Sequence, residues 1–220
     1  MCYSGIGRDD AHGAVQKFMM GSPLYRQEQE WKQNGILLSR QTMANWLLKA
    51  SNDWLEPLYE KMRLKLLKHS VLHVDETTVQ VLKEPGRAAQ LKSYMWLYRT
   101  SGEAKSQIIL YDYQPDRRYI RPREFLRGFS GFIHTDGYEA YHKLPDNIIV
   151  VGCLAHLRRK FFDGLKILPK DKRKDSDLLK GVYYCDRLFR YEREFASLTP
   201  EERLDNRQRI SKALFDEFYN

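Results

Sequence analysis

Apolar residues along this 220-residue chain keep two spacings, and the spacings change in blocks. From Ser22 to about His69 they recur every three or four residues, the mark of a one-sided helix. Ser22 is placed to cap a first helix with Pro23 at its first position, and Gln33-Asn34-Gly35 to end it. Ser39 is placed to cap a second, with Met43, Trp46, Leu47 and Ala50 on one side. A third predicted helix sets Leu55, Leu58, Tyr59, Met62 and Leu66 on one stripe, with Pro57 in its first turn and Lys61, Arg63, Lys65 and Lys68 mostly off the stripe. Before residue 22 there is little pattern, which reads as the tail of something longer.

From Val71 the character changes to strand. Val71, Leu72 and Val74, then Val79, Val81 and Leu82, form β-branched runs interrupted by Asp75 and Glu76. Further strands are expected over 93–100, 107–113, 131–138 and 148–152, with turns at 83–87 and 101–103. Short helices are expected from Arg121 and near Glu139-Ala140-Tyr141, and a longer one from Cys153 to Phe162. Three antiparallel strands followed by helix-strand-helix-strand-helix predict a mixed α/β sheet with helices on its faces. A hydrophilic connector, 166–177, leads to two more helices. The second opens with a capping box, Thr199, Pro200 and Glu202, and would turn Leu204, Ile210, Leu214 and Phe218 inward. Three sections result: a helical segment 1–70, an α/β core 71–165, and a helical section 166–220. The final apolar stripe runs to the last residues, as in a chain cut from a longer one.

Composition adds a bias toward polyanions. The net charge is +8, the isoelectric point about 9.3 and the mean hydropathy −0.63. Such an excess favours nucleic acid ahead of a membrane surface. Cys2, Cys153 and Cys185 are odd in number and far apart, which excludes a disulfide framework and points to a reducing compartment. No run of signal-peptide or membrane-spanning length occurs, so a cytosolic protein is expected.

The candidate chemistry is carboxylate. Asp75 and Asp136 each tip a predicted strand, and a bare carboxylate in a buried strand needs an Arg, a backbone cap or a metal ion. Two on one sheet suit a shared divalent cation for phosphoryl transfer. Each also has a structural reading: Asp136-Gly137-Tyr138-Glu139 fits a capping box, and Asp75 fits an ion pair. Cys153 and His156 have ligand-like spacing, but no second Cys/His pair accompanies them, which argues against zinc. His156 instead shares its helix with Arg158, Arg159 and Lys160, a set suited to DNA phosphates or to a solvated face. The first two helices suit a helix-turn-helix presenting Arg40, Gln41, Asn45 and Lys49, and equally an ordinary helical hairpin. There is no phosphate-cradling glycine motif, serine nucleophile elbow or kinase signature.

Several segments together resemble one family. Pro23 to Glu28, Ser39 to Trp46, Pro57-Leu58-Tyr59, His73-Val74-Asp75-Glu76-Thr77, His134 to Tyr141, and Gly152 to Phe162 resemble, in order, the transposase of the IS66 insertion-sequence family. The likeness is dense from about 22 to 165 and looser to 220. It implies an RNase H-like core with a DDE triad that cuts and joins DNA using Mg²⁺ or Mn²⁺. Asp75 would be the first aspartate and Asp136 the second. The glutamate would lie far downstream in an Asn/Arg-rich motif, beyond a helical insertion of which 166–220 would be an incomplete part. Glu192, Glu194, Glu201, Glu202 and Glu217 lack that motif and are not assigned. The implied partners are insertion-sequence ends, target DNA, and a second copy or other transposition proteins, in the bacterial cytoplasm at the nucleoid. The alternatives are a catalytically silent DNA-binding or regulatory fragment, and a nuclease for RNA–DNA hybrids, against which the motifs argue.

Overall fold

A computed structural model of the chain describes residues 8–219 apart from Glu103, with side chains from residue 11 onward. Two compact units emerge, Met1–Lys68 and His69–Asn220.

The first unit is helical: α1 (Arg8–Phe18), α2 (Leu24–Gln33), α3 (Arg40–Ala50) and α4 (Glu56–Leu66). Helix α1 lies in the stretch expected to be unpatterned. It meets α2 through Gly13, whose carbonyl accepts from the buried Gln27 amide, so the contact uses backbone and leaves no apolar period to read. Ser39 caps α3 as expected, accepting the Thr42 N–H at 3.1 Å. Ser22 does not cap α2. Extended Pro23 takes the capping position, and the Ser22 carbonyl accepts from Gln27 Nε2 at 3.0 Å. The second and third expected helices are one continuous run, joined by a π-helical turn at Ser51–Leu55. A π-turn holds one residue more than an α-turn, so it rotates the following face out of phase. Of the expected inner stripe, Leu66 is buried and Tyr59 and Met62 are half-buried, whereas Leu55 and Leu58 are exposed at its edge. Arg40, Gln41, Asn45 and Lys49 are exposed, with Gln41 bonded to Asn45 and Lys49 to Asp53.

The second unit is built on a five-stranded mixed sheet in the order β3-β2-β1-β4-β5. The strands are β1 (Val71–Gln80), β2 (Lys92–Thr100), β3 (Ile109–Gln114), β4 (Gly131–Thr135) and β5 (Ile148–Gly152). β1, β2 and β3 pair antiparallel, while β4 lies parallel to β1 and β5 parallel to β4. The period-two pattern explains the core. Leu72 and Val74 face inward with Ile133, Trp96 and Tyr98, and α5 (Ile120–Phe125) stacks Phe125 on the Tyr98 ring at 3.5 Å. The helix expected near Glu139 is a short 3₁₀ turn, Glu139–Lys143, which buries Tyr141.

Helix α6 (Leu154–Ile167) follows β5 directly and packs on α7 (Asp177–Glu194). The two approach closely at Gly181, where a methyl group would stand 2.7 Å from the Phe161 ring. The expected capping box is present: Thr199 and Glu202 bond reciprocally at the start of α8 (Pro200–Asn206). A second π-turn, Arg207–Ser211, leads into α9 (Lys212–Tyr219). It again dephases the stripe, leaving Leu204 exposed while Leu214 is buried.

One glycine fixes how β4 enters beside β1. Gly131 has φ +146°, and a Cβ there would collide with the Ser70 carbonyl, the same carbonyl that accepts the Phe132 N–H at 2.8 Å. Gly131→Ala is therefore expected to destabilise the second unit by about 2 kcal/mol or more. Urea denaturation checks this, and an unchanged midpoint would show that the strand entry tolerates a side chain.

Candidate active site

The site lies where β1 outruns β4. Val71 is opposite Phe132 and His73 opposite His134, and these last two rings stack at 4.9 Å. The pairing ends there, and Asp75 and Asp136 each follow two residues after that last pair. Asp75 is not at a strand end as expected. It sits within β1, which continues to Gln80 against β2, and Asp136 stands immediately after β4. Both carboxylates reach solvent, with side chains 49% and 27% exposed.

Each carboxylate is held by the backbone. Asp75 Oδ1 accepts the Glu76 N–H at 2.9 Å. Asp136 Oδ1 accepts the Tyr138 N–H at 2.8 Å, an Asx turn. This replaces the capping box considered for Asp136, because the 3₁₀ turn that follows is capped at Tyr138 without a side-chain bond. Gly137 enables the turn with φ +82°.

Basic groups flank both acids. Helix α6 begins at the Cys153 cap, whose N–H extends the ladder onto the Thr135 carbonyl at 2.8 Å. Its first turn brings His156 Nε2 to 3.9 Å from Asp75 Oδ2. His156 Nδ1 is buried without a hydrogen-bond partner. Arg158, expected with Arg159 and Lys160 to meet DNA phosphates, instead pairs with Asp186 of α7 at 2.5 Å. Arg159 and Lys160 are exposed. The ionic reading considered for Asp75 thus corresponds to the long contact with His156.

Sequence reasoning placed Glu76 beside Asp75 without giving it a role, and passed over Arg117 and Tyr141. Glu76 falls on the Leu72–Val74 side of β1 and its side chain is 1% exposed. It accepts from Arg117 Nε at 2.6 Å, from Arg117 Nη2, and from the buried Tyr141 hydroxyl through a short bond. Burial raises the Glu76 pKa above the ordinary carboxylate value, against the opposing pull of Tyr141 and Arg117. Burial and the Glu76 charge raise that of Tyr141. Burial alone would lower the Arg117 pKa, but its bond to Glu76 outweighs this and the net direction is upward. Arg117 also reaches Asp136 Oδ2 at 3.6 Å and lies 3.6 Å from the centre of the Tyr138 ring, whose hydroxyl donates to the Arg117 carbonyl. The one signal in the sequence was the period of two, which sets Glu76 on the buried side of β1.

Asp75 and Asp136 offer hard oxygen donors on adjacent strands, open to solvent, which suits a hydrated divalent cation. Among the described residues no group of three or more His, Cys, Asp or Glu side chains gathers as a metal cluster. No helix of the described residues is long and apolar enough to cross a membrane.

A family model described as "Transposase IS66 family" matches residues 10–220. Three uncharacterized proteins of Sinorhizobium fredii (strain NBRC 101917 / NGR234) are similar to the chain. Protein y4qI is 33% identical over 166 residues, 70% of this chain and 30% of its own length. Protein y4hP is 31% identical over 218 residues, 92% of this chain and 39% of its own. Protein y4jD is 29% identical over 210 residues, 90% of this chain and 40% of its own. The chain therefore spans well under half the length of these relatives. No solved structure matches it.

The buried carboxylate makes a pH-dependent prediction. Because its pKa is raised in the folded state, stability falls as pH rises from the ordinary carboxylate value through the raised one. Tyr141→Phe removes a donor that holds the pKa down. The variant is expected to lose about 1.5–3 kcal/mol where Glu76 is ionised and less where it is protonated. Urea melts on the acidic and alkaline sides of that interval check it, and an equal loss on both sides would detach Tyr141 from the ionised carboxylate.

Proposed function

Because the chain belongs to the IS66 transposase family, we propose that its second unit is an RNase H-like nucleic-acid-cutting core of the DDE type, with Asp75 and Asp136 as the first two carboxylates. What supports this reading is the parallel β1–β4 pairing, whose last pair is His73 opposite His134, since the same offset carried two residues further leads to Asp75 and Asp136. The mixed five-stranded sheet, with three antiparallel strands on one side of that pair, supports it.

In this proposal Asp75 and Asp136 hold Mg²⁺ or Mn²⁺. The ion supplies Lewis-acid activation of a water or 3′-hydroxyl and offsets charge on the phosphoryl group. The chain's own residues set the stage. Arg117, anchored by Glu76, and the Tyr138 N–H hold Asp136 from two directions. His156 Nε2 stands 3.9 Å from Asp75 Oδ2, longer than a hydrogen bond. Arg159 and Lys160 supply positive charge toward a DNA backbone. The third carboxylate is not assigned to any residue described. The biological outcome in this reading is DNA transposition, with insertion-sequence ends and target DNA as substrates. A second copy or other transposition proteins would be the partners, at the bacterial nucleoid.

Two measurements test the proposal. Calorimetry with Mn²⁺ is expected to show binding to the wild-type chain that weakens in both Asp75→Asn and Asp136→Asn, by about tenfold or more, since even outer-sphere losses act on that scale. Equal affinity in all three proteins would remove the metal-site reading. For DNA, the paired change Arg159→Ala with Lys160→Ala is expected to lower affinity across sequences. It should also reduce the slope of log K against log salt by roughly one per lost contact. An unchanged slope would take α6 out of the DNA interface.

A further inference from the structure

A cavity of about 470 Å³ opens beside Asp136, and three elements of the second unit wall it. Asp136 and Gly152 come from the ends of the parallel strands, Leu157 and Lys160 from α6, and Phe215 and Tyr219 from α9. The Phe215 and Tyr219 rings lie 5.6 Å apart and 27° from parallel. Helix α9 is anchored through its other residues. Leu214 is buried, and the Phe218 ring meets those of Phe161 at 5.9 Å and Tyr184 at 5.2 Å. That anchoring presents Phe215 and Tyr219 to the cavity, and Tyr219 remains 79% exposed.

We infer that this cavity binds one unpaired nucleotide of a DNA strand, its base stacked on Tyr219 and its phosphate facing Lys160. The inference deepens the DNA-cutting reading and rests on it. Three features of the cavity support it. Flat apolar walls with exposed aromatic rings suit a nucleobase, whose π-face any ring can meet without regard to sequence. An exposed lysine on the α6 wall, Lys160, suits a phosphate as a point charge. The volume falls within the range of about 300–1,000 Å³ that small-ligand pockets occupy. It suits a single nucleotide and excludes a duplex. The position next to Asp136 would bring a strand phosphate to the carboxylate while the adjoining base is held out of pairing.

The test uses the full chain and a single-stranded oligonucleotide carrying the fluorescent base 2-aminopurine, with Mg²⁺ present. Wild type is expected to quench the fluorophore on binding. Tyr219→Ala is expected to lose the quench and about tenfold in affinity, within the range of a base–aromatic stack. Tyr219→Trp should restore both. Tyr219 is exposed, so these variants leave the core untouched, and circular dichroism confirms that they fold. No binding by wild type, binding without quenching, or equal behaviour of Tyr219→Ala and wild type would each overturn the inference. So would displacement of the strand by an equal concentration of a free nucleoside monophosphate, which would assign the cavity to small nucleotides. Asp136→Asn separates the two readings. If it leaves the Mg²⁺ dependence of binding intact while Tyr219→Ala still abolishes the quench, the metal assignment fails and the nucleotide cavity stands. If Mg²⁺ dependence is lost in Asp136→Asn but Tyr219 has no effect, the reverse holds.

Discussion

A carboxylate withdrawn from water must be met by charge or hydrogen bonds, and Glu76 is met by both. Its side chain is buried on the core side of β1, bonded to Arg117 from the segment after β3 and to Tyr141 from the 3₁₀ turn after β4. Those connections lie on either side, in sequence, of β4, the strand that Asp136 follows. The buried acid therefore ties two separate stretches of chain to the central strand. Arg117 then spends its remaining capacity on Asp136 and on the Tyr138 ring. The placement of one solvent-facing acid depends in this way on a buried acid one position along the chain from the other. Replacing Glu76 would leave a guanidinium facing Asp136 alone and an unpartnered phenol in the core.

The same constraint explains why the two adjacent acids differ. Alternation along β1 sends Asp75 to the side of the stacked His73 and His134 rings, and Glu76 to the side of Leu72 and Val74. Burial, with the neighbouring His134 and Arg99 charges, lowers the His73 pKa, so the ring beside Asp75 on its own strand favours the neutral form. Positive charge near the open acids comes instead from Arg117 and from Lys160 on α6. One strand thus carries a structural acid and a candidate ligand side by side, separated only by the pleat.

Local features were legible in the sequence and distant ones were not. The caps at Ser39 and Thr199 rest on residues three apart, and both formed. The strands followed from periods of two and from turn residues, and the mixed sheet from their order. The two π-turns left no compositional mark, and Leu58 and Leu204 are exposed although Leu66 and Leu214 of the same expected stripes are buried. Arg117 joins Glu76 from 41 positions further along the chain, in a segment of no regular pattern. Arg158 looked equivalent to its neighbours until α7 supplied Asp186. Ser22 failed as a cap because the extended backbone of Pro23 already occupied that place.

The ladder between β1 and β4 stops at His73, whereas that between β1 and β2 runs on to Gln80. The sheet is therefore stepped, with its antiparallel strands standing proud of its parallel half. Asp75 stands on the riser of that step and Asp136 at its foot. A long, stiff ligand arriving there would find a wall on one hand and open ground on the other. The approach past Asp75 is one-sided, and the antiparallel strands act as a fence on that side of the step.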